Sequence, residues 1–325
     1  MDQHILDLQE QIERFIQKLK LDLEPEGLYQ PVAYSMQHGG KRMRPLMTLL
    51  ACELFGGDIR DAMPAAVGME LFHNFTLLHD DIMDDAPIRR NRPSVHVKWN
   101  VNTAILSGDL MYALAYKYVS QVPDTALRKV TDLFSKTVIE VCEGQQYDMD
   151  FEARQDVTAG EYLNMIRLKT AVLPAACLQT GAIIAGAPDD GQAALYNFGE
   201  YIGMAFQLRD DWLDVFGDAV VFGKKPGGDI LANKKTWLYI HALEMAREDQ
   251  RRVLLGAFNN EIEDPDEKVR IVKDIYQHLD INALAQKAMK EYYLRAMDSL
   301  DSIEVFESRK KALQSLAETL LHREK

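Results

Sequence analysis

The stretch AAVGMELFHNFTLLHDDIMDD, residues 65–85, decides how the rest of the chain is read. Met69, Phe72, Phe75, Leu78 and Ile82 recur at intervals of three and four, the spacing of one face of an α-helix. Its last turn is a run of aspartates, so an apolar helical face carries several carboxylates to one end. Working outward, residues 101–119, 127–142, 192–216, 267–280 and 282–300 repeat the mixed apolar and polar spacing without sustained strict alternation. The strand-like VVF at 220–222 is too short to build a sheet. Gly39-Gly40, Gly56-Gly57, Pro87, Pro93, Pro123, Pro188, Gly227-Gly228 and Pro265 punctuate these segments. Pro45 is suited to open one helix and Pro87 to stop another. A length of 325 residues suggests two domains, at about 150 residues per domain. No Pro-, Ser- or Gly-rich linker divides the chain, however, and the expectation is a single all-α domain over residues 1–325.

Composition narrows the class. A hydrophobic fraction of 47% with 27% charged residues is that of a soluble globular protein. The richest apolar stretch, 171–188, is Ala- and Gly-heavy and broken by Pro174, short of the ~18 apolar residues of a membrane span. The opening MDQHILDLQE has no basic segment followed by an apolar core, so a cytoplasmic protein without stable membrane insertion is expected. Cys52, Cys142 and Cys177 are odd in number and lack CxxC spacing, which argues for buried apolar residues rather than disulfides or a cysteine zinc site. A net charge of −13 argues against nucleic acid and anionic membranes as partners.

Two segments resemble each other: Leu78-His79-Asp80-Asp81-Ile82-Met83-Asp84-Asp85 and Leu208-Arg209-Asp210-Asp211-Trp212-Leu213-Asp214-Val215. Each follows an apolar helical run and each carries DDxxD. On a helix, residues three and four apart share a face, so Asp80, Asp81 and Asp84 are expected to project together, as are Asp210, Asp211 and Asp214. Clustered carboxylates repel unless a cation joins them. Oxygen ligands without nearby Cys or paired His select a hard cation, and Mg²⁺ fits when phosphate oxygens complete its shell. The plain alternative, an acidic solvated face, weakens with the second copy.

Cations cluster close by. Gly39-Gly40-Lys41-Arg42-Met43-Arg44-Pro45 sets three positive charges beside a glycine turn, Arg89-Arg90 follow the first acidic motif, and Lys224-Lys225 and Lys234-Lys235 follow the second. Such groups around carboxylates suit a polyanion bridged by metal, Arg gripping phosphate in a two-pronged manner and Lys acting as a point charge.

Together these residues resemble the trans-prenyltransferases, the all-trans isoprenyl diphosphate synthases. The resemblance runs from Gly39 to about Thr236 through ordered blocks: GGKRMRP, DDIMDDAPIRR, Gly144-Gln145, Lys169-Thr170, FQLRDDWLD, GKKPGGD and NKKT. It implies an antiparallel helical bundle around a deep central active-site cavity and a homodimer. It also implies Mg²⁺-dependent condensation of isopentenyl diphosphate with an allylic diphosphate, by ionisation, condensation and elimination. By position, Asp80, Asp84 and Asp210 would ligate Mg²⁺, supported by Asp81, Asp211 and Asp214. Arg89, Lys169, Lys224 and Lys234 would hold the allylic diphosphate, and Lys41, Arg44, His73 and Arg90 isopentenyl diphosphate. Thr170 and Gln207 would lie near the cation. Lys225 and Lys235 read as solvated neighbours, and Gly144-Gln145 as either a substrate contact or a tight helix contact.

Five residues before Asp80 is about 7.5 Å along a helix; Phe75, followed by Thr76, stands there and would floor the chain-length cavity. An aromatic residue at that position without an insertion in the first motif resembles synthases of fifteen- or twenty-carbon products. A class I terpene cyclase would carry a different second metal motif, and a non-catalytic regulatory subunit of a heteromeric synthase would have lost one of the two. A dinuclear metal hydrolase would want histidine ligands clustered among the acids.

Overall fold

Short polar side chains start the helices. Asn100 accepts a hydrogen bond at 2.8 Å from Thr103 N, Thr158 and Glu161 close a capping box, and Asp264 stands before Pro265, which opens its helix without wasting a donor. In the computed structural model, which describes residues 3–37, 40–217 and 226–321, these helices dominate, and one two-stranded hairpin is the single sheet among the described residues. Gly39, the VVF segment, Lys224 and Lys225 lie outside the described residues.

The chain forms two compact units. The first comprises Met1–Lys136, Ala176–Tyr196 and Ile303–Leu313. It contains α1 (Gln3–Gln17), α2 (Glu26–Gln37), α3 (Met43–Leu54), α4 (Ile59–Met83), the hairpin of β1 (Ile88–Arg89) and β2 (Arg92–Pro93), the short α5 (Val95–Lys98) and α6 (Val101–Val119). Helix α4 packs on α3 and α6, α2 on α6, and α1 on α3. Close approach of α4 to α6 depends on Gly68, where a Cβ would fall 2.8 Å from Val119 N. Leu8, Ile12, Leu46, Leu49, Met69, Phe72 and Phe134 are buried there.

The second unit comprises Thr137–Ala175, Asn197–Ser302 and Gln314–Lys325. Two long helices, α7 (Asp124–Ala153) and, after α8 (Ala159–Ile166), a π turn (Arg167–Ala171) and α9 (Val172–Ile184), α10 (Asp189–Phe216), have residues in both units. The short α11 (Gly228–Leu231) precedes α12 (Trp237–Met245), α13 (Glu248–Phe258), α14 (Pro265–His278), α15 (Ile281–Asp301) and α16 (Glu307–Leu321). Trp237, Tyr239, Leu254, Val272, Tyr276 and Ile281 form a core with Phe151, Met165 and Leu208. Tyr239 stacks on Phe258 at 3.9 Å between ring centroids.

Each expected helical segment falls on an observed helix, α6 to the residue, while α7 runs on to Ala153, well past the expected end at 142, and α14 stops at His278 rather than 280. Within 65–85, Met69, Phe72 and Leu78 are buried and Phe75 and Ile82 half-buried. Three details differ. Helix α3 starts at Met43, with Arg42 at its N-cap and Pro45 already inside. Helix α4 ends at Met83, ahead of Pro87, because Asp84 caps it and Asp85 turns to φ 47°. Cys142, unlike Cys52 and Cys177, is exposed. No described helix is long and apolar enough to cross a membrane.

Since the Asn100 side chain satisfies an otherwise unpaired donor of α6, Asn100→Ala is expected to lower stability by about 1 kcal/mol. Urea unfolding measures it, and an unchanged midpoint would show that the cap contributes nothing.

Candidate active site

The first unit brings the acidic end of α4 beside a cluster of cations. Asp81 is 4% exposed, and Arg89 reaches its Oδ1 with Nε at 2.8 Å and Nη2 at 2.6 Å. Asp80 is half-buried and Asp84 exposed. Successive helical residues lie about 100° apart, so the three carboxylates do not point one way as the spacing suggested. Asp81 turns inward. Arg90 and Asn91, at φ 50° and 61°, form the two-residue turn between β1 and β2. Positive φ at both positions matches the twist of a hairpin, and Asn tolerates it better than Arg. Tyr34 donates to Pro93 O at 2.9 Å and Ser94 to Ala86 O, which secures the hairpin.

Arg90 lies against the glycine loop, since a Cβ on Gly40 would fall 3.1 Å from its Nη1. Arg44 and His73 complete this group. Burial, then the guanidinium charges of Arg44, Arg90, Arg89 and Arg42, hold the His73 imidazole well below the usual histidine range. The ring is therefore neutral at physiological pH. Arg44 Nε is buried without a hydrogen-bond partner among the described residues. Lys41 is exposed, and its carbonyl accepts from Gln9 at 2.6 Å. On the next turn Phe75 packs against His79 at 4.7 Å and Tyr112 at 5.6 Å between centroids. Thr76 donates its hydroxyl to His73 O at 2.8 Å, inside its own helix.

The second unit holds a cavity of about 130 Å³ lined by Asp148, Lys169, Thr170, Gln207, Asp211, Asp229, Lys234 and Lys235 among others. Lys169 and Thr170 project from the π turn, a wide coil that often marks functional sites. Helix α7 lies directly on that turn: a Cβ on Gly144 would overlap Lys169 N. Gly144 is thus the tight helix contact of the two readings above. Lys169 Nζ pairs with Asp148 at 2.6 Å. Thr170 donates to Gln207 Oε1 at 3.1 Å, Gln207 Nε2 donates to Asp211 Oδ1 at 3.0 Å, and Tyr162 donates to Asp211 Oδ2 at 2.6 Å. Burial pushes Asp211 up to about 7, against the hydrogen bond from Tyr162, with Asp229 and Asp210 adding to the rise and Gln207 opposing it. Asp214 accepts from Asp229 N at 2.9 Å and so fixes the Gly227-Gly228-Asp229 turn, where Gly227 takes φ 97°.

Of the six motif aspartates, Asp81, Asp211 and Asp214 accept hydrogen bonds from Arg89, from Gln207 and Tyr162, and from Asp229 N, while Asp84 is exposed and Asp80 and Asp210 are half-buried. Among the described residues no three His, Cys, Asp or Glu side chains cluster as a metal site. This donor set fits a hard cation that takes much of its shell from ligand oxygens. Lys235 overturns its reading as a solvated neighbour: it is 9% exposed and donates to Glu152 O at 2.6 Å. Sequence reasoning also missed Asp148, Tyr162 and Asp229. Asp148 sits one helical turn after Gly144, and Asp229 ends the quoted GKKPGGD block, so both had a readable signal. Tyr162 had none.

His73 gives a pH test. Its native imidazole stays neutral, whereas the unfolded chain takes up a proton near pH 6.5, so stability falls as pH drops through that value. His73→Gln is expected to lose less stability between pH 7.5 and 5.5, by up to one proton of linkage. Equal pH slopes in urea titrations of both proteins would contradict a neutral His73.

Residues 25–275 match the family model described as polyprenyl synthetase. The chain is 48% identical over 222 residues to a geranylgeranyl diphosphate synthase of Methanosarcina mazei, covering 68% of each. It is 42% identical over 237 residues to a geranylfarnesyl diphosphate synthase of Natronomonas pharaonis, covering 67% of this chain and 70% of that one. A crystal structure of a geranylgeranyl pyrophosphate synthase superposes with a TM-score of 0.93 at 43% identity, covering 99% of both chains. The acidic motifs and their surrounding cations therefore sit on an all-α isoprenoid synthase fold, and the chain belongs to the polyprenyl synthetase family of trans-prenyltransferases.

Proposed function

We propose that this enzyme is a short-chain, all-trans prenyl diphosphate synthase that joins isopentenyl diphosphate to allylic diphosphates. The observation that carries the reading is the second-unit cavity, where Lys169, Thr170, Gln207, Asp211 and Lys234 converge from separate segments of the chain. Arg89, Lys169, Lys234 and, outside the described residues, Lys224 hold the allylic diphosphate. Lys41, Arg44, His73 and Arg90 hold isopentenyl diphosphate, and clustering of the last three supports that assignment. By the resemblance to the family, Asp80, Asp84 and Asp210 would ligate Mg²⁺, supported by Asp81, Asp211 and Asp214. Bound magnesium supplies charge neutralisation for the departing diphosphate.

The allylic C–O bond breaks to give pyrophosphate and an allylic cation. The π bond of isopentenyl diphosphate attacks that cation, and a proton then leaves for pyrophosphate. Thr170 and Gln207 present neutral oxygen dipoles, which steady positive charge without capturing it. Their mutual hydrogen bond, with Gln207 Nε2 tied to Asp211, keeps those dipoles oriented before the substrate arrives. No side-chain base is required. The two relatives named above are a geranylgeranyl and a geranylfarnesyl synthase, which supports twenty or twenty-five carbons over the fifteen also open from sequence. They give no support to a terpene cyclase or a regulatory subunit.

The enzyme works as one catalytic domain over residues 1–325 and in the cytoplasm. It pairs as a homodimer, for which α6 offers exposed apolar residues: Ile105, Leu106 and Tyr116 are 40%, 60% and 48% exposed.

Two outcomes check this function. With Mg²⁺ and both diphosphates, Asp80→Ala is expected to lose at least about a hundredfold in turnover while its melting temperature stays near the wild-type value; near-normal activity would remove Asp80 as a ligand. Phe75→Ala is expected to shift the products to longer chains, at a stability loss of about 2–4 kcal/mol because the ring is half-buried against Phe72 and Tyr112. Chromatography showing the same chain lengths from a folded variant would refute the plug.

A further inference from the structure

Arg42 stands between Lys41 and Arg44 in the glycine loop, yet the function above gives it no task. Its side chain is 2% exposed. Nε donates to Glu13 Oε1 at 2.6 Å, Nη1 to Glu70 Oε1 at 2.9 Å and Nη2 to Met36 O at 2.5 Å. The guanidinium is thereby fixed to α1, to the end of α2 and to α4 at once. Glu70 is itself 3% exposed, and Asn74 Nδ2 reaches its Oε1 at 3.3 Å.

The backbone of Arg42 adds a second observation. It takes φ 45° and ψ 43° at the N-cap of α3, with no side-chain capping bond. L-residues avoid this left-handed conformation because Cβ crowds the next carbonyl oxygen. The strain persists where surrounding contacts over-determine the residue, and three hydrogen bonds at the far end of the side chain do so. This kink is where the loop from Gly40 turns into α3, and it sets the direction in which Arg44, two residues on, leaves the helix. Arg44 Nε is buried without a hydrogen-bond partner among the described residues, and Arg90 lies against Gly40. A small rotation of the kink would separate the cations of this group.

We infer that Arg42, Glu70 and Glu13 form a positioning clamp that holds Lys41 and Arg44 at the isopentenyl diphosphate site, so that the two carboxylates strengthen the binding of an anion. The inference rests on the functional reading above. It has a sign opposite to plain electrostatics. A carboxylate near an anion site repels the anion, so removing its charge alone should tighten binding. A clamp predicts weaker binding from the same substitution. A merely structural role predicts a third pattern, with both substrates and turnover affected as stability falls.

The test is steady-state kinetics of the full chain with Mg²⁺, each diphosphate varied in turn, for Glu13→Gln, Glu70→Gln and Arg42→Lys. The KM for isopentenyl diphosphate should rise about threefold in Glu13→Gln and about tenfold in the other two, with kcat and the allylic KM within about twofold of wild type. An isopentenyl KM that is unchanged or lower in Glu13→Gln overturns the clamp, as does a parallel rise in both KM values. Should Glu70→Gln or Arg42→Lys fail to fold, Glu13→Gln decides, because its side chain is 38% exposed and its loss leaves the Arg42–Glu70 pair intact. A wild-type chain that does not condense the two diphosphates removes the functional reading instead. Calorimetric titration with inorganic pyrophosphate then reads the clamp: weaker binding by Glu13→Gln supports it, and equal binding sinks it.

Discussion

A charge taken out of water must be matched by another charge or by donors, and the positions of the functional side chains follow from that requirement. Each acidic motif turns its second aspartate inward, Asp81 and Asp211 both being 4% exposed. Asp81 is matched by a cation, Arg89, and therefore fixes where the hairpin holding Arg90 begins. Asp211 is matched by neutral donors, Tyr162 and Gln207, and burial raises it to about 7. The same burial that makes Asp211 reluctant to ionise also orients the Gln207 amide, and through it the Thr170 hydroxyl. Two identical motifs thus do different structural work, one anchoring a cation and the other a pair of dipoles.

Helical organisation was legible because it depends on periodicity, and the periodicity of 65–85 or 101–119 is a local property. The acidic motifs and the cations nearest them in sequence were legible for the same reason. Buried charges were not. Glu70 lies in the same apolar run as Met69 and Phe72, where a glutamate reads as the polar face of a helix. It is buried because Arg42 arrives from 28 residues away. Lys235 reads as surface beside Lys234, and is buried because Glu152 O, 83 residues distant, accepts from it. Composition cannot announce such pairings. The common direction expected of Asp80, Asp81 and Asp84 failed on simpler grounds, since Asp80 and Asp81 are adjacent and lie about 100° apart around the helix.

Backbone proximity is the other feature that spacing alone could not supply. Gly144-Gln145 and Lys169-Thr170 are separate signals in the sequence. In the fold they are one: the glycine admits the backbone of the π turn, and the turn carries the lysine and threonine into the cavity. Asp148, one turn along the same helix, then receives Lys169. A residue with any side chain at 144 would push the turn away and move Lys169 and Thr170 together, so the steric freedom of one position governs the address of two others.

Pairing explains how clusters of cations persist inside a chain of net charge −13. Arg42, Arg44 and Arg90 would repel one another if left alone in partly buried surroundings; Glu70 offsets that repulsion for all three. Lys169 faces Asp148 in the same manner. Long cationic side chains ordinarily lose about 1.5–2 kcal/mol of rotamer freedom when they are immobilised. Holding them against carboxylates meets that loss during folding, before any substrate arrives. The carboxylates around the site are therefore not a penalty that the cations overcome. They are the means by which positive charge is kept in place inside a negatively charged protein.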